Sequence, residues 1–357
     1  MRRYGNLFQQ IRSIENLEAA HKSARKGKTH YKEVKMVDKD PQRYLTAIQE
    51  MLDNKTFKTS EYVVDERVEG KKSRTIYKLP YYPDRIVQWA ILKVIEPILV
   101  RSMTKDTYSA IPKRGTHLAL TRLRKEWRKN PEECVYCLKL DMQKYYQSIP
   151  HDKLKAAYAH LFKDKELLEL IDEIIDSTPG NVGIPIGNYL SQYSGNLYLS
   201  RLDHWLKETK RIKHYFRYMD DIVILHGSKE FLHDLYKEIN AFSIEELELT
   251  IKSNYQVFPS DIRGVDFLGF RIFKDYVLLR KSVSINLKRK MVSIRKKLDR
   301  GGNINFNEYC SFNSYKGWLK YCDTHRLYLK YMAPLEDPMH NYYLNHVKGG
   351  RNHGKKQ

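Results

Sequence analysis

Two adjacent aspartates, Asp220 and Asp221, lie inside a run of mostly apolar and aromatic residues, His214 to Leu225, which has the composition of β-strands. Neighbouring ionised carboxylates repel each other, and their placement among apolar residues is costly. A multivalent cation that neutralises both would remove that cost. The tight turn of a β-hairpin would direct both carboxylates out of the sheet and into a cleft. The alternative interpretation is a solvated Asp-Asp turn on the surface of a hairpin, without chemistry.

A third aspartate, Asp141, closes the β-prone run Cys134 to Leu140 and is expected to leave the C-terminal end of a strand. It lies 79 residues before Asp220, too far for local pairing. If the two strands are neighbours in one sheet, the three carboxylates converge. Two divalent metals about 3.5–4 Å apart would fit such a cluster and hold the attacking and leaving oxygens of a phosphoryl transfer. Mg²⁺ is the expected ion, with Mn²⁺ as a substitute, because the ligands are hard oxygens and substrate phosphates can complete the shell.

A loop rich in glycine and proline, Gly183 to Gln192, lies between the two carboxylate strands and leads into a predicted helix, Tyr193 to Leu206. Its glycines let backbone approach a ligand closely. Asn188 and Ser191 offer polar contacts near the start of the helix. Many loops share this composition, but its position between two carboxylate strands predicts the floor of a nucleotide and template site.

The order of these blocks resembles that of a reverse transcriptase. Four motifs follow one another as the palm motifs of that family do: Asp141, Gly183-Ile184-Pro185-Ile186-Gly187, Tyr218-Met219-Asp220-Asp221 and Phe267-Leu268-Gly269-Phe270. Upstream, Arg74 to Pro80 and Asp84 to Gln88 resemble the fingers of group II intron and other prokaryotic enzymes. The resemblance runs from about Arg67 to Phe270, and this set of motifs in this order is highly specific.

The middle motif indicates a subfamily. Most reverse transcriptases carry Gln-Gly followed by Ser-Pro there, whereas this chain has Ile186-Gly187 followed by Ser191-Gln192. That variant is similar to the one in diversity-generating retroelements, and the stretches Arg3 to Leu7 and Tyr108 to His117 also look like that group. Met219 departs from the alanine that many of the group have, although both residues are tolerated across the family.

The resemblance implies roles for individual residues. The catalytic residues would be Asp141, Asp220 and Asp221, and the metal set would be Asp141, Met142, Asp220 and Asp221. The nucleotide-binding set would be Lys72 (or Lys71 in its place), Arg74, Tyr146, Gly187 and Gln192. The remaining roles would be fidelity for Ile186, a general acid for Lys252, and a primer grip for Phe267, Leu268, Gly269 and Phe270.

For three of these roles, the residue type suggests how the side chain would act. Tyr146 stands where the family places its steric gate, and its ring would exclude a ribose 2′-hydroxyl; the alternative is a core tyrosine. Lys72 and Arg74 resemble the basic pair that holds the β- and γ-phosphates; the alternative is a charged surface hairpin. Ile186 replaces a glutamine whose amide fixes geometry by hydrogen bonds, and the resemblance to diversity-generating enzymes implies a site that miscopies template adenines.

Composition agrees with a nucleic-acid partner. The 357 residues include 64 Lys and Arg against 43 Asp and Glu, a net charge of +21, which favours a polyanion. The 27 tyrosines beside basic residues favour stacking on bases or sugars. Four cysteines, Cys134, Cys137, Cys310 and Cys322, lack a disulfide or metal pattern and are expected to be reduced thiols. Without a signal peptide or an apolar span of membrane length, we expect a soluble cytoplasmic protein and no membrane partner.

The predicted fold class is α+β: a right-hand polymerase fold with fingers, a palm whose antiparallel sheet packs on helices, and a C-terminal helical thumb. The expected divisions are a basic N-terminal extension (1–40), fingers with an early palm helix (41–135), the palm (136–275), the thumb (276–348) and a disordered basic tail (349–357). In the thumb, Leu287, Met291, Ile294 and Leu298 form one apolar stripe opposite a basic face.

Three functions remain open on the sequence. The first is an RNA-directed DNA polymerase of a diversity-generating retroelement, with template RNA, a cDNA primer, deoxynucleoside triphosphates and a small basic accessory variability protein as partners. The second is a reverse transcriptase of a retron or a phage-defence system. The third is a non-enzymatic RNA-binding protein on a polymerase fold, which the intact aspartates disfavour. An RNA polymerase is disfavoured by Tyr146.

Overall fold

Residues 3–69 and 72–348 are described by the structure, a computed structural model, and the side chains of residues 68–74 and 348 lie outside that description. The chain divides into two units. The first unit contains the residues up to Gly115 together with Leu138–Ile224 and Glu230–Gln256. The second contains Thr116–Cys137, Leu225–Lys229 and the residues from Val257 onward. The expected linear divisions at residues 135 and 275 therefore differ from the division into these units.

Helices and strands are numbered in chain order. The helices are α1 (Phe8–Arg12), α2 (Ile14–Ala24), α3 (Lys32–Lys39), α4 (Pro41–Asp53), α5 (Ile86–Ser102), α6 (Thr116–Lys129), α7 (Tyr145–Ser148), α8 (His151–Leu161), α9 (Lys165–Asp176), α10 (Tyr189–His204), α11 (Lys229–Glu245), α12 (Ser260–Arg263), α13 (Lys281–Asp299), α14 (Phe306–Leu319), α15 (His325–Tyr331) and α16 (Glu336–Tyr342). The strands are β1 (Val63–Glu69), β2 (Lys72–Lys78), β3 (Tyr136–Asp141), β4 (His214–Tyr218), β5 (Asp221–His226), β6 (Gln256–Pro259), β7 (Val265–Phe267), β8 (Phe270–Ile272) and β9 (Val277–Leu279).

The N-terminal segment is a packed part of the first unit rather than a separate extension. α2 buries Leu17 and Ala20, and α3 buries Val34 and Val37, so few apolar residues among many lysines suffice to fix both helices. α2 packs against α4 and α5. The sequence from Asn16 to Thr29 predicts a helix; the observed helix begins two residues earlier, where Ser13 caps it, and ends five residues earlier, after Ala24.

α5 is the helix at the centre of this packing. It is apolar on nearly all sides and buries residues around its whole circumference, among them Ile91, Ile95 and Leu99. A helix that is apolar all round must be enclosed by other elements, and α1, α2 and α10 pack against it. The sequence from Val87 to Val100 predicts this early palm helix, and the observed helix begins one residue earlier and ends two residues later.

The central sheet positions the acidic residues. β5 lies between β4 and β3, so the two strand runs that carry the aspartates are neighbours, which is the condition that the sequence left open. Only Met219 and Asp220 separate β4 from β5. Met219 has a φ of 54°, the left-handed conformation that a two-residue hairpin turn requires. Burial of the apolar residues of β4 and β5 fixes the register of this hairpin.

The second unit contains a small antiparallel sheet and the C-terminal helices. β8 lies between β7 and β9, with Phe267 opposite Phe270 and Phe270 opposite Leu279. α13 buries Leu287, Met291 and Ile294, which are the first three residues of the predicted stripe, and Leu298 is half-buried.

Three further expectations concern the C-terminal tail, membrane-spanning helices and the cysteines. The tail expected to be disordered, residues 349–357, lies outside the described residues. Across the described ranges, no helix is long and apolar enough to cross a lipid bilayer. All four cysteines are free, and Cys134 and Cys137 are buried, with burial raising the pKa of the Cys134 thiol to about 12.

Candidate catalytic site

The site begins at one end of the central sheet. Asp141 is the last residue of β3, Asp220 occupies the turn after β4, and Asp221 is the first residue of β5. All three side chains are half-buried. The sheet order therefore brings together residues that are 79 positions apart in the chain.

The carboxylates of Asp141 and Asp220 are close enough to affect each other's ionisation. Burial, first of all, and then a hydrogen bond and the negative charge of Asp141 raise the pKa of Asp220 to about 7. The ionised pair is thus a costly arrangement that a bound cation would relieve.

Two lysines lie against the aspartates. The Lys252 ammonium donates to Asp141 Oδ2, and the Lys252 N–H donates to the Asp141 carbonyl at 2.9 Å. The Lys139 ammonium is 3.4 Å from Asp221 Oδ1. Lys252 was predicted near the reaction on resemblance alone, and the structure places it directly on Asp141. Each lysine partly compensates one carboxylate.

The residues present fit a divalent cation at Asp141 and Asp220. Carboxylate oxygens are the ligands that Mg²⁺ prefers. Asp141 Oδ1 is buried and meets no protein donor within the described residues. The expected convergence of three carboxylates is not observed, however. In the described part of the chain, no set of three or more His, Cys, Asp or Glu side chains is arranged to hold a metal. Asp221 starts a strand beside Lys139, whereas Asp220 belongs to the turn and faces Asp141.

The side chain of Met142 is fully buried, so its backbone is the part of this residue that is available to a cation. It pairs with Ile251 in an isolated antiparallel bridge. The hydrogen bonds of that bridge belong to its neighbours: Lys252 N–H to the Asp141 carbonyl, and Gln143 N–H to the Thr250 carbonyl at 2.8 Å. The peptide groups of Met142 are therefore turned away from Ile251.

Arg217 anchors the turn that carries Asp220. Its guanidinium is fully buried and pairs with the equally buried Asp203 through two bonds of 2.7 and 2.6 Å. A third bond of 2.9 Å runs from Nη1 to the Met219 carbonyl. Asn196 and Thr107 also accept from the same guanidinium. A single side chain thus ties the turn of Asp220 to α10 and to the segment before α6.

Tyr146 lies beside this turn. Its hydroxyl donates to the Met219 sulfur at 3.3 Å, and its ring is half-buried. Burial and the nearby Asp220 charge raise the pKa of Tyr146 well above its ordinary value, so the hydroxyl stays protonated. The adjacent Tyr145 is buried and donates to the Gly195 carbonyl. Of the two tyrosines, Tyr146 is the one that borders the acidic site.

The middle loop is held by backbone contacts with β2. The Tyr77 N–H donates to the Ile186 carbonyl at 2.9 Å. Gly187 has a φ of 128°, and a Cβ on it would lie 2.6 Å from the Tyr77 carbonyl oxygen. The following helix begins at Tyr189, four residues earlier than predicted, which places Gln192 on its first turn with an exposed side chain.

The remaining predicted site residues either have side chains outside the described part of the structure or belong to the second unit. Lys72 and Arg74 are on β2, but their side chains, and Lys71 altogether, lie outside the described residues. The primer-grip residues belong to the second unit. Phe267 and Phe270 are fully buried, and the turn between them has Leu268 and Gly269 at φ of 54° and 83°. A Cβ at Gly269 would overlap the Trp318 ring, so glycine is required there for packing.

The sequence reasoning missed Lys139, Arg217 and Asp203. Lys139 precedes Asp141 by two residues on a strand, so the two side chains share a face, and that spacing could have identified it. Arg217 was visible as a charge within an apolar run. Its partner was not, because Asp203 comes from a different element.

Comparisons with known proteins bear on the whole arrangement. The family profile described as reverse transcriptase (RNA-dependent DNA polymerase) matches residues 67–272, which include β3, the middle loop and the hairpin of Asp220. A curated protein of Schizosaccharomyces pombe, named "Uncharacterized 91 kDa protein in cob intron", is 28% identical over 156 residues, which is 42% of this chain and 18% of that protein. "Protein YkfC" of Escherichia coli is 23% identical over 237 residues, 55% of this chain and 62% of that protein.

This chain spans less than two thirds of the length of both curated relatives. Among solved structures, apo telomerase from Candida tropicalis superposes with a TM-score of 0.50 at 12% identity, over 65% of this chain and 50% of that one. At that identity the likeness concerns the fold alone, a mixed α+β arrangement. Because the family profile covers more than half of the residues, the chain belongs to the reverse transcriptase family.

Proposed function

We propose that this protein is an RNA-directed DNA polymerase that copies an RNA template into cDNA from deoxynucleoside triphosphates. The observation that carries the proposal is the meeting of Asp141 and Asp220 at the end of β3 and the turn after β4, inside the segment that matches the family. Two half-buried, partly uncompensated carboxylates would be a costly arrangement in a purely structural hairpin and are a suitable one for a site of phosphoryl transfer.

Asp141 and Asp220 would hold divalent cations, with the Met142 carbonyl and Asp221 at the margin of the site. Bound Mg²⁺, or Mn²⁺ in its place, would lower the pKa of the primer 3′-hydroxyl and offset the charge of the triphosphate. The chain's own groups do the rest. Lys139 and Lys252 orient Asp221 and Asp141 through ion pairs. In this proposal Lys252 would also give a proton to the leaving pyrophosphate, and Tyr146, whose hydroxyl contacts the Met219 sulfur, would restrict the space beside the turn.

The first test replaces Asp220 with Asn. Cation binding needs anionic oxygens, whereas the RNA grip of a chain with 64 basic residues is distributed. We expect Mg²⁺-dependent primer extension to fall by about a thousandfold or more, the scale of losing a major transition-state contact, and RNA affinity to stay nearly unchanged. Single-turnover extension and filter binding measure the two effects.

Asp234→Asn is a matched control, because Asp234 is an exposed residue of α11 that pairs with Lys237. It should extend primers like the wild type. Extension by the Asp220 variant at near wild-type rates would refute the catalytic assignment. Loss of activity in both variants would mean that a change in net charge or in folding explains the result, and not the loss of the Asp220 carboxylate from the site.

A finer proposal is that the enzyme belongs to a diversity-generating retroelement and works with a small basic accessory variability protein. It is supported by Ile186-Gly187 followed by Ser191-Gln192 in the middle loop. Ile186 has its carbonyl bound to Tyr77 and its side chain half-buried, so only dispersion contact is available where an amide would donate and accept. Loss of one such hydrogen bond removes about 1 kcal/mol of discrimination, several-fold in error rate.

The wild type should therefore misincorporate mainly opposite template adenine, and Ile186→Gln should lower that error more than errors opposite other bases. Sequencing of products from a defined RNA template measures both quantities. Ile186→Leu is the control, since it keeps an apolar side chain of similar volume. Rare wild-type errors without adenine bias would reject the retroelement role and favour a retron or phage-defence enzyme instead. A chain that binds RNA but extends no primer would be a non-enzymatic RNA-binding protein.

A further inference from the structure

A basic groove lies within the second unit and is lined by residues that the proposed reaction does not use. It is formed by α6 and the segment after α14 and has a volume of about 660 Å³. We call it the α6 groove, and its cationic and aromatic lining consists of Arg124, Lys125, Arg128, Lys129, Lys320 and Tyr321. This volume lies within the range of ordinary ligand sites.

The two arginines of the α6 groove are fixed in place without losing their charge. Arg124 donates to the Asp275 carbonyl at 2.9 Å, and Arg128 donates to the carbonyls of Lys274 and Asp275 at 2.9 and 3.1 Å. Backbone carbonyls satisfy N–H groups but carry no net charge. The guanidinium groups are therefore preorganised cations with donors to spare.

The lysines add charge on the same side of the helix. Lys125 and Lys129 are four residues apart on α6, and both are exposed, as is Lys320. Asp323 is the acidic residue that lines the groove, and its carboxylate accepts the Val277 N–H at 2.8 Å. Five cations thus face one carboxylate, an excess that calls for an anionic ligand.

An aromatic platform borders these cations. Tyr321 stacks on His117 with ring centroids 3.6 Å apart and an interplanar angle of 12°, and 38% of Tyr321 is exposed. A ring held flat by a neighbour offers its other face for stacking at little entropic cost. Cations beside an exposed aromatic face are the combination by which proteins hold single-stranded nucleic acid. An acidic peptide would use the cations and leave the ring without a role.

We propose that the α6 groove binds a single-stranded segment of RNA, with phosphates on Lys125, Lys129 and Lys320 and a base on Tyr321. This inference rests on the proposed function insofar as an RNA-copying enzyme has RNA to hold. It adds a second place of contact, in a different unit from the aspartates.

The test replaces the three lysines together, Lys125→Gln, Lys129→Gln and Lys320→Gln, and leaves the arginines that fix the backbone intact. The control triple, Lys229→Gln, Lys281→Gln and Lys330→Gln, removes the same charge from exposed positions of the same unit outside the groove. Binding of a fluorescently labelled oligouridylate is measured by anisotropy across a range of salt concentrations, with full-length protein.

Each phosphate contact on a single strand contributes about 0.7 to the slope of log K against log salt, so losing three contacts should reduce its magnitude by about 2. The control triple should keep the wild-type slope. Equal losses in both triples would reflect net charge alone and overturn the proposal, as would an unchanged slope in the groove triple.

Tyr321 provides a second, uncharged test. Tyr321→Ala should weaken oligouridylate binding by about fivefold or more without changing the salt slope, and Tyr321→Phe should restore it, because stacking needs the ring and not the hydroxyl. A loss of poly-glutamate binding in the groove triple, together with no effect of Tyr321→Ala on oligouridylate, would identify an acidic protein site instead and overturn the proposal.

Primer extension on a short oligonucleotide duplex separates this proposal from the proposed function. The groove triple should extend such a duplex like the wild type. Normal extension with unchanged oligouridylate binding would refute the groove alone. Reduced oligouridylate binding in a protein whose wild type extends no primer would refute the polymerase and leave the groove standing.

Discussion

Arg217 shows how one residue can determine the geometry of a site that it does not enter. Its guanidinium bonds at once to Asp203, Asn196 and the Met219 carbonyl. The bond to Met219 fixes the peptide that precedes Asp220. Arg217 is therefore a positioning residue for the proposed chemistry.

Arg217→Lys should preserve the fold and reduce the rate of extension. A lysine keeps the charge opposite Asp203 but cannot reach Asp203, Asn196 and the Met219 carbonyl from one nitrogen. We expect kcat to fall about tenfold or more, the scale of one lost buried hydrogen bond in a preorganised site, with little change in KM. Steady-state extension and thermal unfolding measure the two properties.

The pair Arg217→Met and Asp203→Leu separates positioning from stability. Arg217→Met alone should cost about 3–5 kcal/mol of unfolding free energy, because it leaves the buried Asp203 charge without its cation, with only the Tyr215 and Thr107 hydroxyls still donating to it. The double substitution should recover much of that stability, since apolar replacements of buried ion pairs are often neutral. Recovered stability together with recovered extension would show that Arg217 has a purely structural role.

Tyr146 allows a prediction about sugar selection. Tyr146→Ala should raise incorporation of ribonucleotides relative to deoxyribonucleotides, because the ring beside the catalytic turn would no longer oppose a 2′-hydroxyl. Single-turnover competition measures the ratio, and Tyr145→Phe, which changes the buried neighbour, is the control. Unchanged discrimination would identify Tyr146 as a core residue.

Local residue types predicted the acidic hairpin, since two aspartates among β-prone residues leave few alternatives to a turn. The position of Lys252 could only be expected from resemblance, because its contact with Asp141 depends on a bridge between Met142 and Ile251 that no local pattern encodes. The pairing of Arg217 with Asp203 likewise could not be predicted from the sequence, since it depends on how α10 packs against β4.

Gly187 connects two elements by their backbones. Its conformation and its closeness to the Tyr77 carbonyl let the middle loop pair with β2, which also carries Lys72 and Arg74. Gly187→Ala should separate loop from strand and raise KM for the incoming nucleotide. The positive φ adds a strain of about 1–3 kcal/mol. Steady-state kinetics and thermal unfolding report on the two effects.

Gly180→Ala is the matched control, because Gly180 also has a positive φ, 89°, but nothing lies within 4 Å of its added Cβ. It should lose a similar amount of stability and keep its KM. A rise in KM for both variants would mean that strain in the segment matters and that the contact with Tyr77 does not.

Helices with a clear periodicity of apolar residues could be predicted from the sequence, whereas helices whose bounds depend on packing against other elements could be predicted less well. The stripe of α13 follows from spacings of three and four residues. The N-terminal helices were obscured by lysines, and the start of α10 was displaced because its first residues, Tyr189 and Leu190, read as loop after two glycines. Packing against α5 decided both cases.

At the scale of the molecule, the two lysines at the carboxylates imply a protein that folds without metal. Adding a chelator to protein prepared without metal should not change its unfolding temperature. Adding Mg²⁺ at about 100 times its Kd should raise the unfolding free energy by about 2.7 kcal/mol. Differential scanning calorimetry measures both.

Asp220→Asn should abolish the gain with Mg²⁺ and also raise the stability of metal-free protein, because it removes a buried charge next to Asp141. Asp234→Asn should keep the wild-type response. A metal-free protein that is unfolded, or a Mg²⁺ gain that survives Asp220→Asn, would place the cation elsewhere.

The division into interleaved units has a consequence for biosynthesis. Thr116–Cys137 belongs to the second unit, whose main part begins only at Val257, 120 residues later. At about 5–20 residues per second, a ribosome needs about 6–24 s to make that interval. During this time the apolar side of α6, with Leu120, Leu123 and Trp127, lacks the partners of its own unit. The nascent chain therefore exposes an apolar surface that can aggregate for many seconds. The yield of folded protein in cells should depend on chaperones and on the speed of translation through this interval.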